Sequence, residues 1–134
     1  MSTVIFLQIA DKAKCQCPDF EAYVGTRSSG SYYRPLFILQ DSINVFINYH
    51  NLSEKKGSLK YRIINIDSFS ILVLRNDSVI FRSKNKGYIF ESGLKNIVSK
   101  ALVGDRVIIY DINAMDYDGT KIQLNPLEYL VDEY

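Results

Sequence analysis

The sequence predicts a mainly β domain, an antiparallel β-sandwich-like fold with one short α-helix near residues 92–102. Three observations support this fold class. Runs of β-branched and aromatic residues recur along the chain, turn residues separate them, and only one segment shows helical periodicity. At 134 residues, the chain has the length of one domain with one hydrophobic core.

Strand signals occur from one end of the chain to the other. Within 42–49, Ile43, Val45 and Ile47 share one face and alternate with Asn44, Phe46 and Asn48, which indicates a strand. The predicted strands are 3–9, 42–49, 60–66, 68–74, 78–82, 106–114 and 121–131.

A hairpin joins two of these strands. Arg75, Asn76 and Asp77 follow the strand 68–74, and a second strand begins at Ser78. Because Asn and Asp tolerate positive φ, they suit the tight turn of a hairpin.

The helix is predicted from apolar spacing. Its apolar stripe follows the i, i+3, i+4, i+7 pattern, Ser92 can cap its first turn, and Gly104 suits its end. An amphipathic helix usually closes a core, so we expect it to pack on the sheet. The stripe consists of Leu94, Ile97, Val98, Ala101 and Leu102.

The end of the chain predicts a turn and a closing strand. Asp116, Asp118 and Gly119 form a turn of the Asp–Gly type, after which 121–131 returns as a strand. Pro126 lacks a backbone N–H, so we expect that strand to be bulged there or to lie at a sheet edge.

The predicted core combines the helix stripe with alternate residues of three strands. These positions are apolar and share one face of each element. They are Phe69, Ile71, Val73, Leu94, Ile97, Val98, Val107 and Ile109.

Composition argues against several classes of function. The formal net charge is +1, whereas nucleic-acid-binding proteins usually carry a basic excess, so no nucleic-acid partner is expected. No apolar run reaches the roughly 20 residues of a membrane-spanning helix, so direct membrane insertion is not expected. The chain as given also lacks an export signal, which leaves the cytoplasm as an alternative compartment.

Residues able to support a cofactor, a metal or catalysis are few. Cys15 and Cys17 are too close for an unstrained disulfide, and no second Cys pair completes a zinc site. The single histidine, His50, lies in a polar segment without a convincing catalytic partner. Asp116 and Asp118 could bind a cation, but a calcium loop needs more oxygen ligands. We therefore predict no enzyme, no cofactor and no metal.

Ten tyrosines and no tryptophan are unusual. Tyrosine offers a large contact area with a polar tip, so a cluster of tyrosines near Arg34 is a candidate recognition surface. The alternative is that tyrosine simply has high β propensity and half-buries on strands. The candidate interaction residues are Tyr32, Tyr33, Arg34, Tyr117 and Tyr129.

The order of these motifs resembles a known family. The chain has a hairpin, a short helix followed by Val103-Gly104-Asp105, a strand 106–114, an Asp118-Gly119-Thr120 turn and a last strand. Earlier in the chain, Pro18-Asp19-Phe20 leads to Val24-Gly25, and Ser29-Gly30 follows. Together these motifs, over residues 16–131, resemble the C-terminal domain of the gliding-motility and type IX secretion shaft proteins (GldM/PorM-like).

The resemblance implies a non-enzymatic interaction module at the distal periplasmic end of a shaft, docking on outer-membrane ring components. It implies protein partners in the cell envelope and a weak homodimer, for which the uncharged segment 3–9 is the candidate contact. On this interpretation, 1–17 is a leading strand and connecting segment, and 18–134 is the domain. The alternative is a small ligand- or glycan-binding β domain of the bacterial envelope.

Overall fold

A computed structural model describes residues 20–47, 65–115 and 119–133. The elements in these ranges are β1 (Phe20–Tyr23), β2 (Gly30–Tyr33), α1 (Arg34–Phe37), β3 (Asn44–Ile47), β4 (Asn65–Arg75), β5 (Ser78–Lys86), α2 (Ser92–Ser99), β6 (Arg106–Met115), β7 (Lys121–Leu124) and β8 (Leu127–Asp132).

Most of these strands form one open sheet in the order β2-β8-β6-β4-β5, with β7 also paired to β6. A separate two-stranded sheet joins β1 to β3. The mainly β prediction is confirmed. The expectation of purely antiparallel pairing is corrected at one place, because β2 and β8 run parallel.

The predicted closing strand is interrupted at Pro126, as the sequence indicates. β7 ends at Leu124 and β8 begins at Leu127, so the interruption includes Pro126. The β8 half is not an edge, because it pairs with β6 on one side and β2 on the other. The predicted strand 3–9 and most of 60–66 lie outside the described residues, whereas β1, β2 and α1 were not predicted.

The predicted hairpin is present between β4 and β5. Arg75 pairs with Ser78, and the two residues between them have positive φ, 52° at Asn76 and 62° at Asp77. Two successive positive φ values characterise the type I′ turn, which matches the twist of the strands it joins.

The predicted helix is shorter than expected. It ends at Ser99, and its N-cap is Glu91, so Ser92 is the first helical residue rather than the cap. Asn85 of β5 positions the start of the helix, because its Oδ1 accepts a hydrogen bond from the Glu91 N–H at 2.8 Å. Leu94 and Val98 are buried, whereas Ile97 is only partly buried at the edge of the core.

One main core lies between the sheet and the layer formed by β1, β3 and the helices. We call the sheet face toward this core the inner face and the opposite one the outer face. Seven of the eight predicted core residues lie in the main core, with Ile97 packed against it. The core also contains residues from β1, the loop after it, β2 and α1, among them Phe20, Ala22, Val24, Tyr32 and Phe37.

The sheet changes its side-chain alternation at one level. In β6, Val107 and Ile109 face the core before this level, and Ile112 and Ala114 face it afterwards. A regular strand could not bury both pairs on one face, because its side chains alternate with a period of two. The irregularity at Asp111, whose φ is 52°, provides the extra step.

The neighbouring strands change at the same level. Ile109 pairs with Leu127 and Ile112 pairs with Leu124, so Tyr110-Asp111 lies opposite Asn125-Pro126. On the other side, the pairing of β4 with β6 shifts between Ile66 and Ser70. The inner-face residues of all three strands therefore stay in register across the irregularity.

Two amides support the backbone at Asp111. The Asn113 Nδ2 donates to the Asp111 carbonyl oxygen at 3.0 Å, and the Gln123 Nε2 donates to Asp111 Oδ1 at 2.9 Å. Aspartate visits the left-handed region more readily than β-branched residues do. Asp111 is thus suited to this position both by its backbone and by its side chain.

The buried carboxylate of Asp105 links the segment between α2 and β6 to the β4–β5 hairpin. Asp105 accepts two hydrogen bonds from Arg75, each at 2.9 Å, and one from the Leu102 N–H at 2.9 Å. Burial raises the pKa of Asp105, but the hydrogen bonds from Arg75 and Leu102 outweigh that effect and hold it below its usual value.

Asp111→Val is expected to destabilise the fold by about 1–3 kcal/mol, because valine is strained at positive φ and cannot accept from Gln123. Asp111→Asn is the matched control, since asparagine tolerates this φ and keeps a carbonyl oxygen. Urea denaturation of both variants measures the difference. Equal stability of the two variants would show that the irregularity does not constrain the sheet.

Asp105 is expected to make stability depend on pH. A carboxyl whose folded pKa lies below its unfolded value stabilises the fold fully above the unfolded pKa, near 3.8, and this contribution disappears as the pH falls through the folded pKa. Asp105→Asn should therefore unfold more easily at neutral pH and lose less stability on acidification than the wild type. Thermal unfolding from pH 7 to pH 2 tests this, and parallel curves for the two proteins would contradict it.

Candidate interaction surface

The outer face of the sheet carries a second apolar cluster. Leu72 and Leu74 of β4 and Ile108 of β6 are buried there and pack with the partly buried Tyr110. We call these four residues the outer cluster. Among the described residues, the side chains of this cluster come from β4 and β6.

Exposed apolar residues extend the outer cluster. Leu74 pairs with Val79 of β5 on one side and with Arg106 of β6 on the other, and Arg106 pairs with Leu130 of β8. Val79 is 47% exposed and Leu130 is 42% exposed. A patch that combines buried and exposed apolar side chains on an open sheet face is typical of a protein-docking surface.

A row of cations borders this patch. Arg82 lies opposite Leu72, Lys84 opposite Ser70, and Lys86 opposite Ser68, so all three share the outer face of β5. We call them the basic row. Each is exposed, and none forms an ion pair with the described part of the chain.

Two opposite charges lie on the same face between the outer cluster and Leu130. Arg106 of β6 donates to the Glu128 carboxylate on β8, which forms a cross-strand ion pair. Both side chains are more than one-third exposed, so the pair contributes little to stability. Among the described residues, the outer face is therefore asymmetric in its ion pairs, because the basic row on β5 has no carboxylate partner whereas Arg106 on β6 is paired with Glu128 on β8.

Two of the predicted interaction tyrosines are buried. Tyr129 Oη donates to the Arg27 carbonyl oxygen at 2.6 Å and accepts from the Val24 N–H at 3.2 Å. Tyr32 Oη donates to the Val24 carbonyl oxygen at 2.7 Å. Burial raises the pKa of both tyrosines, so both stay protonated and keep these hydrogen bonds.

These two tyrosines therefore belong to the core and not to an exposed recognition surface. Their rings meet edge to face at 5.4 Å, and they fix the loop between β1 and β2. Gly25 in this loop has φ 65°, and an added Cβ would lie 2.4 Å from Tyr32 Oη. Tyr32 and Tyr129 therefore fit the alternative interpretation, in which tyrosines are buried side chains of strands, better than they fit a recognition surface.

The other predicted site residues have separate positions. Tyr33 is exposed on β2, whereas Arg34 is partly buried and donates through Nε to the Ala101 carbonyl oxygen at 2.6 Å, just beyond the end of α2. Tyr117, Asp116 and Asp118 lie outside the described residues. Gly119 is exposed and has φ 87°, as a turn glycine requires.

A polar cleft of about 430 Å³ opens where the sheet changes its alternation. It has the size of a small-molecule site, but its described lining contains no aromatic ring on which a sugar could stack. The lining residues are Asp67, Ser68, Asn113, Ala114, Lys121, Ile122 and Gln123.

Metal-ligating side chains do not converge in the described ranges. Within residues 20–47, 65–115 and 119–133, no three His, Cys, Asp or Glu side chains come together as a metal site requires. Cys15, Cys17 and His50 lie outside these ranges. Of the two described helices, neither α1 nor α2 is long and apolar enough to cross a membrane.

Sequence reasoning missed the outer cluster, although a signal was present. The run Ile71-Leu72-Val73-Leu74 is apolar at every position, which indicates a strand with apolar contacts on both faces. The sequence also indicates the basic row, since Arg82, Lys84 and Lys86 alternate with Ser83 and Asn85 and would share one face of a strand. The predicted strand ends at Arg82 and therefore leaves out Lys84 and Lys86.

Comparison with known proteins identifies a family for this chain. No curated protein matches the chain significantly. A family model described as the GldM C-terminal domain matches residues 60–132, more than half of the chain, and this match spans β4 to β8. Proteins of this family are structural components of the gliding and type IX secretion machinery of the cell envelope. The chain therefore belongs to the GldM C-terminal domain family.

Proposed function

We propose that this protein is a non-enzymatic docking module of the periplasm that connects a gliding or type IX secretion shaft to ring components at the outer membrane. It acts by protein–protein contact and needs no cofactor. In this proposal the domain comprises residues 18–134, and residues 1–17, which lie outside the described ranges, precede it. Family membership supports a role in the gliding and secretion machinery. The apolar outer face of the sheet supports docking by protein–protein contact.

The observation that carries the proposal is the composition of the outer face. Apolar side chains at its centre and edges would gain contact area when a partner covers them, and the charged residues around them would select the partner. Val79 and Leu130 supply the exposed apolar part of this surface. Removing such side chains from water is favourable by roughly 25 cal/mol per Å², and this gain offsets part of the entropy lost on association.

The alternative of a glycan-binding domain has weaker support. Sugar recognition commonly uses an exposed aromatic ring beside convergent polar groups. The described lining of the polar cleft supplies polar groups but no aromatic ring. The exposed tyrosines Tyr33 and Tyr88 do not line this cleft.

We also propose a weak homodimer formed through segment 3–9. This segment is apolar and uncharged, so two copies can pair across a two-fold axis without charge repulsion. The closing strand is a poorer candidate, because β8 already has a strand on each side. The dimer would bring two outer faces into one assembly and raise the effective affinity for a multivalent ring.

Val79→Glu with Leu130→Glu is expected to weaken binding to the purified outer-membrane ring components by at least about tenfold, because each change puts a charge into the desolvated contact. The full chain is immobilised, and binding is measured by biolayer interferometry. Leu39→Glu with Ile89→Glu is the matched control, since both residues are exposed apolar positions that belong to no strand of the sheet. Equal binding by both double variants, or wild-type protein that binds only envelope polysaccharide, would refute the docking proposal.

The molar mass of the protein is expected to rise with concentration toward that of a dimer. Ile5→Lys should suppress this rise, because it places two like charges near the two-fold axis. Light scattering coupled to size exclusion over a wide concentration range gives the measurement. A constant monomeric mass for the wild type at the highest soluble concentration would rule out the dimer.

A further inference from the structure

We propose that the outer edge of β5 binds an extended acidic segment of a partner protein, which adds to the sheet as a further strand. This inference rests on the proposed docking function and names the chemistry of the partner. β5 ends the six-stranded sheet, and in the described ranges it pairs only with β4. An edge strand offers unpaired backbone N–H and C=O groups, which are a template for strand addition.

The length of β5 suits such an addition. The strand has nine residues, so it is about 30 Å long at roughly 3.3 Å per residue. A bulge interrupts its regular pairing with β4 between Phe81 and Val79. Because a bulge twists an edge away from further pairing, we expect the added strand to follow the part from Phe81 to Lys86.

The basic row gives the partner its charge. Arg82, Lys84 and Lys86 stand on one face with a spacing of two residues, about 6.6 Å between neighbours. Their charges have no carboxylate partner in the described ranges. An incoming strand with Asp or Glu at every second position would set one carboxylate opposite each cation, and such cross-strand pairs stabilise a sheet.

The same charges disfavour a second copy of this chain as the occupant. Two β5 strands that paired antiparallel about a two-fold axis would form one continuous sheet with both basic rows on the same face. Like charges directly opposite one another destabilise strand pairing. The basic row therefore protects the edge against self-association while leaving it open to an acidic partner.

Exposed apolar residues at the hairpin end of β5 add a second feature. Val79 and Ile80 are both at least 40% exposed; Ile80 lies in the bulge and Val79 just beyond it. They offer contact to an apolar residue at one end of the acidic segment. The predicted partner segment thus has acidic residues in alternation and an apolar residue beside them.

A synthetic peptide provides the probe. It has nine residues to match β5, with glutamate alternating with threonine and one terminal isoleucine, and a second peptide has lysine in place of glutamate. Titration into the isotope-labelled full chain is followed by NMR. The acidic peptide should shift amide signals of β5, should bind at least about tenfold more tightly than the lysine peptide, and should weaken as salt is added.

Matched variants separate charge from fold. Arg82→Glu with Lys84→Glu should lose at least about tenfold in affinity for the acidic peptide, because it reverses two cations of the row. Lys100→Glu with Lys121→Glu makes the same change of net charge at exposed positions outside β5 and should bind as the wild type does. Melting temperatures confirm that each variant folds.

N-methylation of alternate peptide residues tests the backbone contribution. One of the two methylation patterns should abolish binding, because it blocks the N–H groups that face β5. Binding that survives both patterns, or that the control variant loses equally, would overturn strand addition. If the ring components bind Arg82→Glu/Lys84→Glu as they bind the wild type, this inference fails and the docking function stands. If the wild type binds no ring component, the docking function itself fails.

Discussion

The structure depends on a change of side-chain alternation that crosses the sheet at a single level. Side chains on a β-strand alternate strictly, so a strand with apolar residues at odd positions in one half and even positions in the other cannot bury both halves on one face. β6 has this pattern, with Ile109 before Asp111 and Ile112 after it. The break at Pro126 and the shifted pairing of β4 accommodate the same change in the neighbouring strands. Pro126, which costs a ladder hydrogen bond elsewhere, is tolerated here because the ladder is already interrupted.

This common irregularity lets the inner face hold one continuous core, and it leaves the outer face divided. On one side of the irregularity, the outer face is apolar around Leu72, Leu74 and Ile108. On the other, it is a polar cleft lined by residues such as Asn113 and Gln123. The surface proposed for docking and the cleft considered for small ligands are thus two halves of one sheet face. Their different character follows from which side chains the change of alternation turns outward.

Two of the tyrosines, Tyr32 and Tyr129, belong to the core and not to the surface. Tyr129 has a hydroxyl that accepts one backbone hydrogen bond and donates another, so the ring can be buried without an unsatisfied polar atom. Tyr32 completes the arrangement through the carbonyl oxygen of Val24. From composition alone, ten tyrosines are compatible with a recognition surface or with a β-rich core. Only the positions of their hydrogen-bond partners, more than 100 residues away for Tyr129, decide between the two.

The sequence by itself determined the local features of this protein. It determined the mainly β class, the hairpin at Asn76-Asp77, the presence of the helix near 92–102 and the interruption at Pro126, because alternation, turn chemistry and helical periodicity act between near neighbours. Its motif order also indicated the family. The tertiary structure decided that β8 lies inside the sheet beside β2, that Tyr32 and Tyr129 are buried, and that β5 remains at an edge with its basic row unpaired among the described residues. These features depend on which distant strands become neighbours, and a one-dimensional pattern does not specify that pairing.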